Sequence, residues 1–157
     1  MSSFRLVGLA ADNFDPFFAM SADELAALGA RRVVADEAVG FPCRVSLVDA
    51  EVGDELLLLP FEHLRTGSPY RASGPVFVRK VARRAVLEPG EIPLCVARRL
   101  MSVRAYDAED MMIAADVCDG AEVRGAIERL MADAAVAFIH LHNAKQGCFS
   151  CRVERAD

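Results

Sequence analysis

The sequence has no tryptophan, only three histidines and no apolar run long enough to cross a bilayer. The missing tryptophan removes nothing a core needs, because nine phenylalanines and abundant leucine and valine can fill one. A spanning helix takes about 20 consecutive apolar residues. The densest stretch here, Leu56 to Phe61, is short and interrupted by Pro60, so no membrane partner is expected. The first dozen residues carry one arginine, Arg5, and a short apolar patch. They lack the long apolar segment and small-residue cleavage site of a secretory signal, and are read as a mature first strand. Repeats, low-complexity stretches and linkers are also missing, which leaves residues 1–157 to form one domain of ordinary size.

What is present begins with five cysteines, at 43, 95, 118, 148 and 151. An odd number at irregular spacing fits free thiols in a reducing compartment, the cytoplasm, better than a disulfide framework. The formal net charge of −5 hides an uneven distribution. Residues 65–104 hold nine basic and only two acidic side chains, so the remainder is strongly acidic. Such asymmetry fits an anion-binding face or basic strands paired with acidic neighbours. Only Tyr70 and Phe77 stand among these arginines, and the overall charge repels phosphate, so nucleic acid is a weak candidate and no such partner is expected.

The local patterns predict an α+β fold: one domain, a mostly antiparallel sheet with two main helices packed on it, and a C-terminal β-hairpin. Ser21-Ala-Asp-Glu24 is a capping box, with Leu25 and Leu28 on one side and Gly29 as the stop. A second helix starts at Asp119 with Glu122 at the capping-box position, and Val123, Ile127, Leu130 and Met131 share its apolar face. Strands are predicted at 4–9, 31–35, 44–48, 55–59, 76–81, 99–106, 111–117, 136–142 and 149–153, separated by Gly, Pro and Asp.

Candidate chemistry concentrates in His140-Leu-His142-Asn143-Ala-Lys-Gln-Gly-Cys148-Phe-Ser-Cys151-Arg152. His140 and His142 leave the same face of a strand, with Cα atoms about 6.5 Å apart. With Cys148 and Cys151 they spell H-x-H-x5-C-x2-C, a string that invites zinc, since Zn²⁺ takes imidazole and thiolate in a tetrahedron. Strand parity argues against four converging ligands. With a four-residue loop Asn143 pairs with Cys148, His142 opposes Phe149 and His140 opposes Cys151. With a five-residue loop His142 opposes Cys148, and Cys151 turns away. Either register leaves two histidines and one cysteine together. Two roles stay open. His142 can act as general acid or base with Cys148 or Cys151 as nucleophile, or His140, His142 and Cys148 or Cys151 can hold zinc.

A second candidate is the loop Thr66 to Pro75, running into Val76-Phe-Val-Arg79. Its glycines and hydroxyls, Ser73 among them, let backbone amides approach an anion, and Arg71 and Arg79 can hold a carboxylate or phosphate. It is not a nucleotide-phosphate loop, because no Gly-Lys-Ser/Thr occurs. Two smaller pairings are Cys43 beside Arg44, which would point to opposite faces of a strand, and Glu62 beside His63, a weak acid/base pair at a strand end.

Phe-Pro-Cys-Arg at 41–44, Ser-Pro-Tyr-Arg-Ala-Ser-Gly-Pro-Val-Phe-Val-Arg at 68–79, Arg-Ala-Tyr-Asp at 104–107 and the 140–152 segment together resemble the small bacterial family known as domain of unknown function 1203. The resemblance spans nearly the whole chain. It implies a bacterial single-domain protein and carries no activity, so no residue role comes with it. The reading that results is a site for a small anionic molecule, binding or enzymatic, lined by His140, His142, Asn143 and a hairpin cysteine, with Arg71, Ser73 and Arg79 supplying charge and polar contacts. The alternative is a non-catalytic zinc-binding or protein-interaction domain.

Overall fold

A computed structural model describes residues 3–156 of the chain. Eight strands and four short helices follow one another as β1 (Phe4–Val7), α1 (Asp15–Phe18), α2 (Ala22–Ala27), β2 (Arg31–Val34), β3 (Glu55–Leu64), β4 (Ala72–Arg79), α3 (Leu94–Ala97), β5 (Leu100–Tyr106), β6 (Met112–Asp119), α4 (Val123–Met131), β7 (Phe138–Asn143) and β8 (Phe149–Arg155). The class is α+β, as the patterns predict. The strands divide between two antiparallel sheets, ordered β1-β8-β7-β5-β6 and β2-β3-β4.

The predicted caps are in place at one helix and not at the other. Ser21 Oγ accepts from the Glu24 backbone N–H at 3.1 Å and starts α2. At α4 the chain makes a short 3-10 turn through Gly120–Glu122 first, and no side chain caps the end. Gly120 is drawn tight against the end of α3, its backbone N–H donating to the Arg99 carbonyl at 2.7 Å. A Cβ at this position would lie 1.9 Å from the Val96 carbonyl oxygen. Val123, Ala126, Ile127 and Met131 then press α4 onto one face of the larger sheet, against Met101, Val103, Ala105, Ile139, Leu141, Cys151 and Val153.

The other face of that sheet packs on a second core, in which Phe149 meets Phe14, Leu25, Cys43, Val45, Leu57, Leu59, Val76 and Val78. β7 is the middle strand of five and is covered on both sides, so all six of its residues are buried. Its pattern Phe-Ile-His-Leu-His-Asn therefore sends Ile139 and Leu141 toward α4 and the two imidazoles toward the smaller sheet.

The segment 44–48, predicted as a strand, is instead a buried turn. Its alternation Cys43, Val45, Leu47 matches a strand pattern, but the Leu47 N–H donates back to the Cys43 carbonyl and Leu47 takes a φ of 54°. Tertiary bonds replace the ladder: Arg44 N–H donates to the Phe77 carbonyl, and Leu9 N–H to the Arg44 carbonyl. This turn is wedged between the two sheets, and it brings Arg44 under the C-terminal hairpin.

Candidate functional site

The β7–β8 hairpin closes around residues 144–147. Asn143 N–H donates to the Cys148 carbonyl at 2.9 Å, and Gly147 N–H donates to the Asn143 carbonyl at 2.7 Å. Gly147 takes a φ of 81°, a conformation that favours glycine. His142 then pairs with Phe149, as a four-residue loop demands. The ladder does not continue in step. The register shifts between His142 and Leu141, Leu141 faces Cys151, and His140 faces Arg152. Ser150 is the extra residue of this β-bulge, and it reverses the parity of everything after it. Cys151, expected to join His140, lies fully buried on the α4 side.

The third member of the histidine face is His63. The β3–β4 ladder breaks between Phe61 and Leu64, which frees His63 from regular pairing. Its ring stacks on Phe149 with centroids 5.2 Å apart, and its centroid lies 5.0 Å from that of His142 and 6.0 Å from that of His140. All three histidines of the chain thus meet in one cluster walled by Tyr106, Phe138 and Phe149. Burial, with Arg152 and His63 adding to it, pushes His140 down to about 3. Burial pushes His142 down to about 4 against the opposing bond to Gly147. His63 is lowered too, by burial and then by Arg104.

The rings are therefore neutral near pH 7. His142 Nδ1 lies 3.0 Å from the Gly147 carbonyl, which can only accept, so Nδ1 holds the proton and Nε2 is bare. His142 Nε2, His63 Nδ1 and His140 Nδ1 are buried without hydrogen-bond partners among the described residues. Bare imidazole nitrogens are metal ligands in principle. The surroundings oppose a cation, since Arg44, Arg104 and Arg152 all act on the rings. Among the described residues no group of three or more His, Cys, Asp or Glu side chains is arranged to hold a metal ion.

On the other side of the hairpin turn lies a cleft of about 310 Å³, lined by Cys148, Asn143, Arg44, Arg99, Lys145 and Glu37 together with apolar groups. Arg44 is 2% exposed. Its Nε donates to the Phe149 carbonyl at 2.8 Å, one terminal nitrogen to the Pro42 carbonyl at 2.6 Å, and the other to Cys148 Sγ at 3.1 Å. Among the described residues no Asp or Glu pairs with it, and burial holds the guanidinium below its ordinary value while Cys148 opposes that shift. Asn143 Nδ2 approaches the same sulfur at 3.6 Å. Cys148 is half-buried, and cationic and amide donors converge on it at the wall of a cavity.

The other four thiols have different surroundings. Cys43 Sγ is buried and accepts from the backbone N–H groups of Arg79 and Ser46. Burial pushes Cys95 up to about 11, and Cys151 is driven up by burial more strongly still. Cys118 is raised by burial and then by Asp116 and Glu122. Cys95, Cys118 and Cys151 are thus held in the unreactive thiol form, and Cys43 is shut away from solvent.

Of the residues singled out in the sequence, the structure brings Asn143 and Cys148 to the cleft and His140 and His142 to the imidazole cluster. It brings Arg71, Ser73 and Arg79 to neither. Arg71 pairs with Glu62 at 3.1 Å, Arg79 with Asp54 at 3.5 Å, and Ser73 is exposed on β4. Charge at the cleft comes from Arg44, Arg99 and Lys145, none of which the sequence patterns assigned to it. Arg99 is fixed by Asp49, with oxygen–nitrogen contacts of 2.7 and 3.2 Å. The pairing of Cys43 with Arg44 did flag the right guanidinium beside the wrong thiol.

The sequence model of the family described as Protein of unknown function (DUF1203) matches residues 40–155, a span that contains the Arg44 turn, His63, β7 and the whole hairpin. No curated protein and no solved structure matches the chain.

Proposed function

The chain belongs to the DUF1203 family, and we propose that it binds a small anionic molecule in the cleft under its C-terminal hairpin, with Cys148 as the group that reacts. The observation that carries this reading is the pairing of a buried, carboxylate-free Arg44 with Cys148 Sγ. An unpaired charge in the interior is costly, so Arg44 calls for a negative partner. The Cys148 sulfur, 3.1 Å from the guanidinium, is the group placed to answer it, and a cation so close to a sulfur is what nucleophilic cysteines use. Lys145 extends the positive charge along the cleft, where an anionic ligand would lie, while Arg99 beside it is held by Asp49.

The imidazole cluster has a supporting role in this reading. His142 holds the Gly147 carbonyl, and so it fixes the turn that presents Cys148. Its other nitrogen lies on the opposite face of β7, so it is not the general base of the cleft. The five free cysteines support a reducing compartment, which we take to be the cytoplasm. No helix among the described residues is long and apolar enough to cross a membrane.

The test is native-state alkylation with limiting iodoacetamide, followed by peptide mapping of the five cysteines. Cys148 is expected to be labelled first, well ahead of Cys118. Labelling of Cys118 as fast as Cys148, or a Cys148 that stays unmodified until the chain is denatured, would overturn the proposal.

A further inference from the structure

We infer that Cys148 undergoes thiol–disulfide exchange with an anionic low-molecular-weight disulfide and then carries one half of it as a stable mixed disulfide. The inference rests on the reading of Cys148 as a reactive thiol and adds the substrate class and the fate of the product.

The walls of the cleft limit what chemistry the thiol can do. No imidazole lines it, since the three histidines lie on the opposite face of β7. Acyl transfer needs a proton donor for an amine or alkoxide leaving group, and imidazole most often fills that role. Attack on a disulfide needs none, because the departing thiolate is a stable anion. The Cys148 thiolate attacks one sulfur of R–S–S–R, the S–S bond breaks, and Cys148–S–S–R forms. The second half leaves as R–S⁻ and takes a proton from solvent, replacing the one Cys148 lost. Cys148 is oxidised and one half of the disulfide is reduced.

The charges select which disulfide. Arg44 and Lys145 face the cleft with one carboxylate, Glu37, Arg99 at its edge is already held by Asp49, and Asn143 and Gln146 add amides. This set suits an amino-acid-like thiol with more carboxylates than ammonium groups. Two deeply buried polar groups face the same place without a full set of partners: Arg44 has no carboxylate, and Asn143, 4% exposed, leaves Oδ1 unpaired. A cavity near 310 Å³ is at the small end of the range for ligand sites.

The adduct persists because the chain offers no second thiol to resolve it. Cys43, Cys95 and Cys151 are buried, and Cys43 and Cys95 are held by backbone hydrogen bonds. Cys118 is on β6, where its neighbours on the ladder are Met101 and the acidic end of the strand, and it does not line the cleft. Release therefore requires an external thiol. This separates a carrier or sensor of small disulfides from an enzyme that forms disulfides in other proteins, which needs a resolving cysteine.

The experiment treats the full-length chain with oxidised glutathione, which is anionic, and with cystamine, which is cationic, and follows adducts by intact mass and peptide mapping. The expected result is one glutathionyl group per chain at Cys148, formed about tenfold faster than the cystamine adduct, a margin typical of electrostatic steering. It should be stable in isolation and reversed by added thiol. In Lys145→Glu, an exposed change that spares the core, the preference for the anionic disulfide should shrink or invert. Faster reaction with cystamine, or modification at another cysteine, overturns the inference. A Cys148 that reacts readily with iodoacetamide but with neither disulfide also overturns it, and leaves the reactive-thiol reading standing. If Cys148 reacts with none of these reagents, both fall.

Discussion

Cys151 faces Leu141 across the hairpin ladder, one step out of phase with the pairing of His142 and Phe149. That single bulge decides which sulfur can take part in chemistry. Cys151 lies in the α4 core with no solvent access, and Cys148 is left at the cleft. Cys151→Ala removes one buried sulfur and should cost about 1–2 kcal/mol, whereas Cys151→Ser buries a hydroxyl and should cost about 1–3 kcal/mol. Denaturant melts measure both. Neither change should alter the rate of Cys148 alkylation, and a slowed Cys148 would show that the two thiols are coupled.

Acid should weaken the fold well before carboxylates are protonated. His140 and His142 have folded values of about 3 and about 4, below the ordinary 6.5, so on acidification the unfolded chain takes up protons first. Their stabilising contribution is complete above about pH 6.5 and is lost progressively as pH falls toward those folded values. Between pH 7 and pH 5 the loss should be about 2–4 kcal/mol. Urea unfolding at the two pH values tests this, and His140→Gln should flatten the dependence. A stability that does not change over this interval would contradict neutral burial of the cluster.

Two glycines on either side of the start of α4 should respond with opposite signs. A Cβ at Gly120 would overlap the Val96 carbonyl oxygen at 1.9 Å and lie 2.7 Å from that of Arg99, both backbone atoms that cannot swing aside. Gly120→Ala should cost about 3 kcal/mol. Gly125, inside α4, meets nothing nearer than the Arg129 guanidinium at 3.8 Å. Gly125→Ala should stabilise the protein by about 0.5–1 kcal/mol through helix propensity. Thermal melts of the two variants are a direct comparison.

The elements that could be read from sequence are those whose signals are local. The Ser21–Glu24 cap, the apolar face of α4 and the terminal hairpin each depend on nearby residues, although the sequence left the hairpin loop at four or five residues. The bulge at Ser150 has no local mark, since it follows from fitting Phe149 to one core and Cys151 to the other. Segment 44–48 alternates like a strand and is buried like one, but its bonds go to Leu9 and Phe77, far away in sequence. The key contact of the cleft joins Arg44 to Cys148, 104 residues apart. His63 reaches the other two histidines only because the β3–β4 ladder slips beside it. In the sequence it was visible as a weak partner of Glu62, and nothing there tied it to β7.

The most direct test of the account is the ratio of iodoacetate to iodoacetamide reactivity at Cys148, compared with the same ratio for a free small-molecule thiol. The two reagents transfer similar groups and differ in charge, so the ratio reads the field of the cleft at the sulfur itself. A cleft that concentrates anions gives a ratio about tenfold above that of the free thiol, falling toward it as salt is added and in Lys145→Glu. A ratio at or below that of the free thiol would contradict an anion-selective cleft built around Arg44 and Cys148.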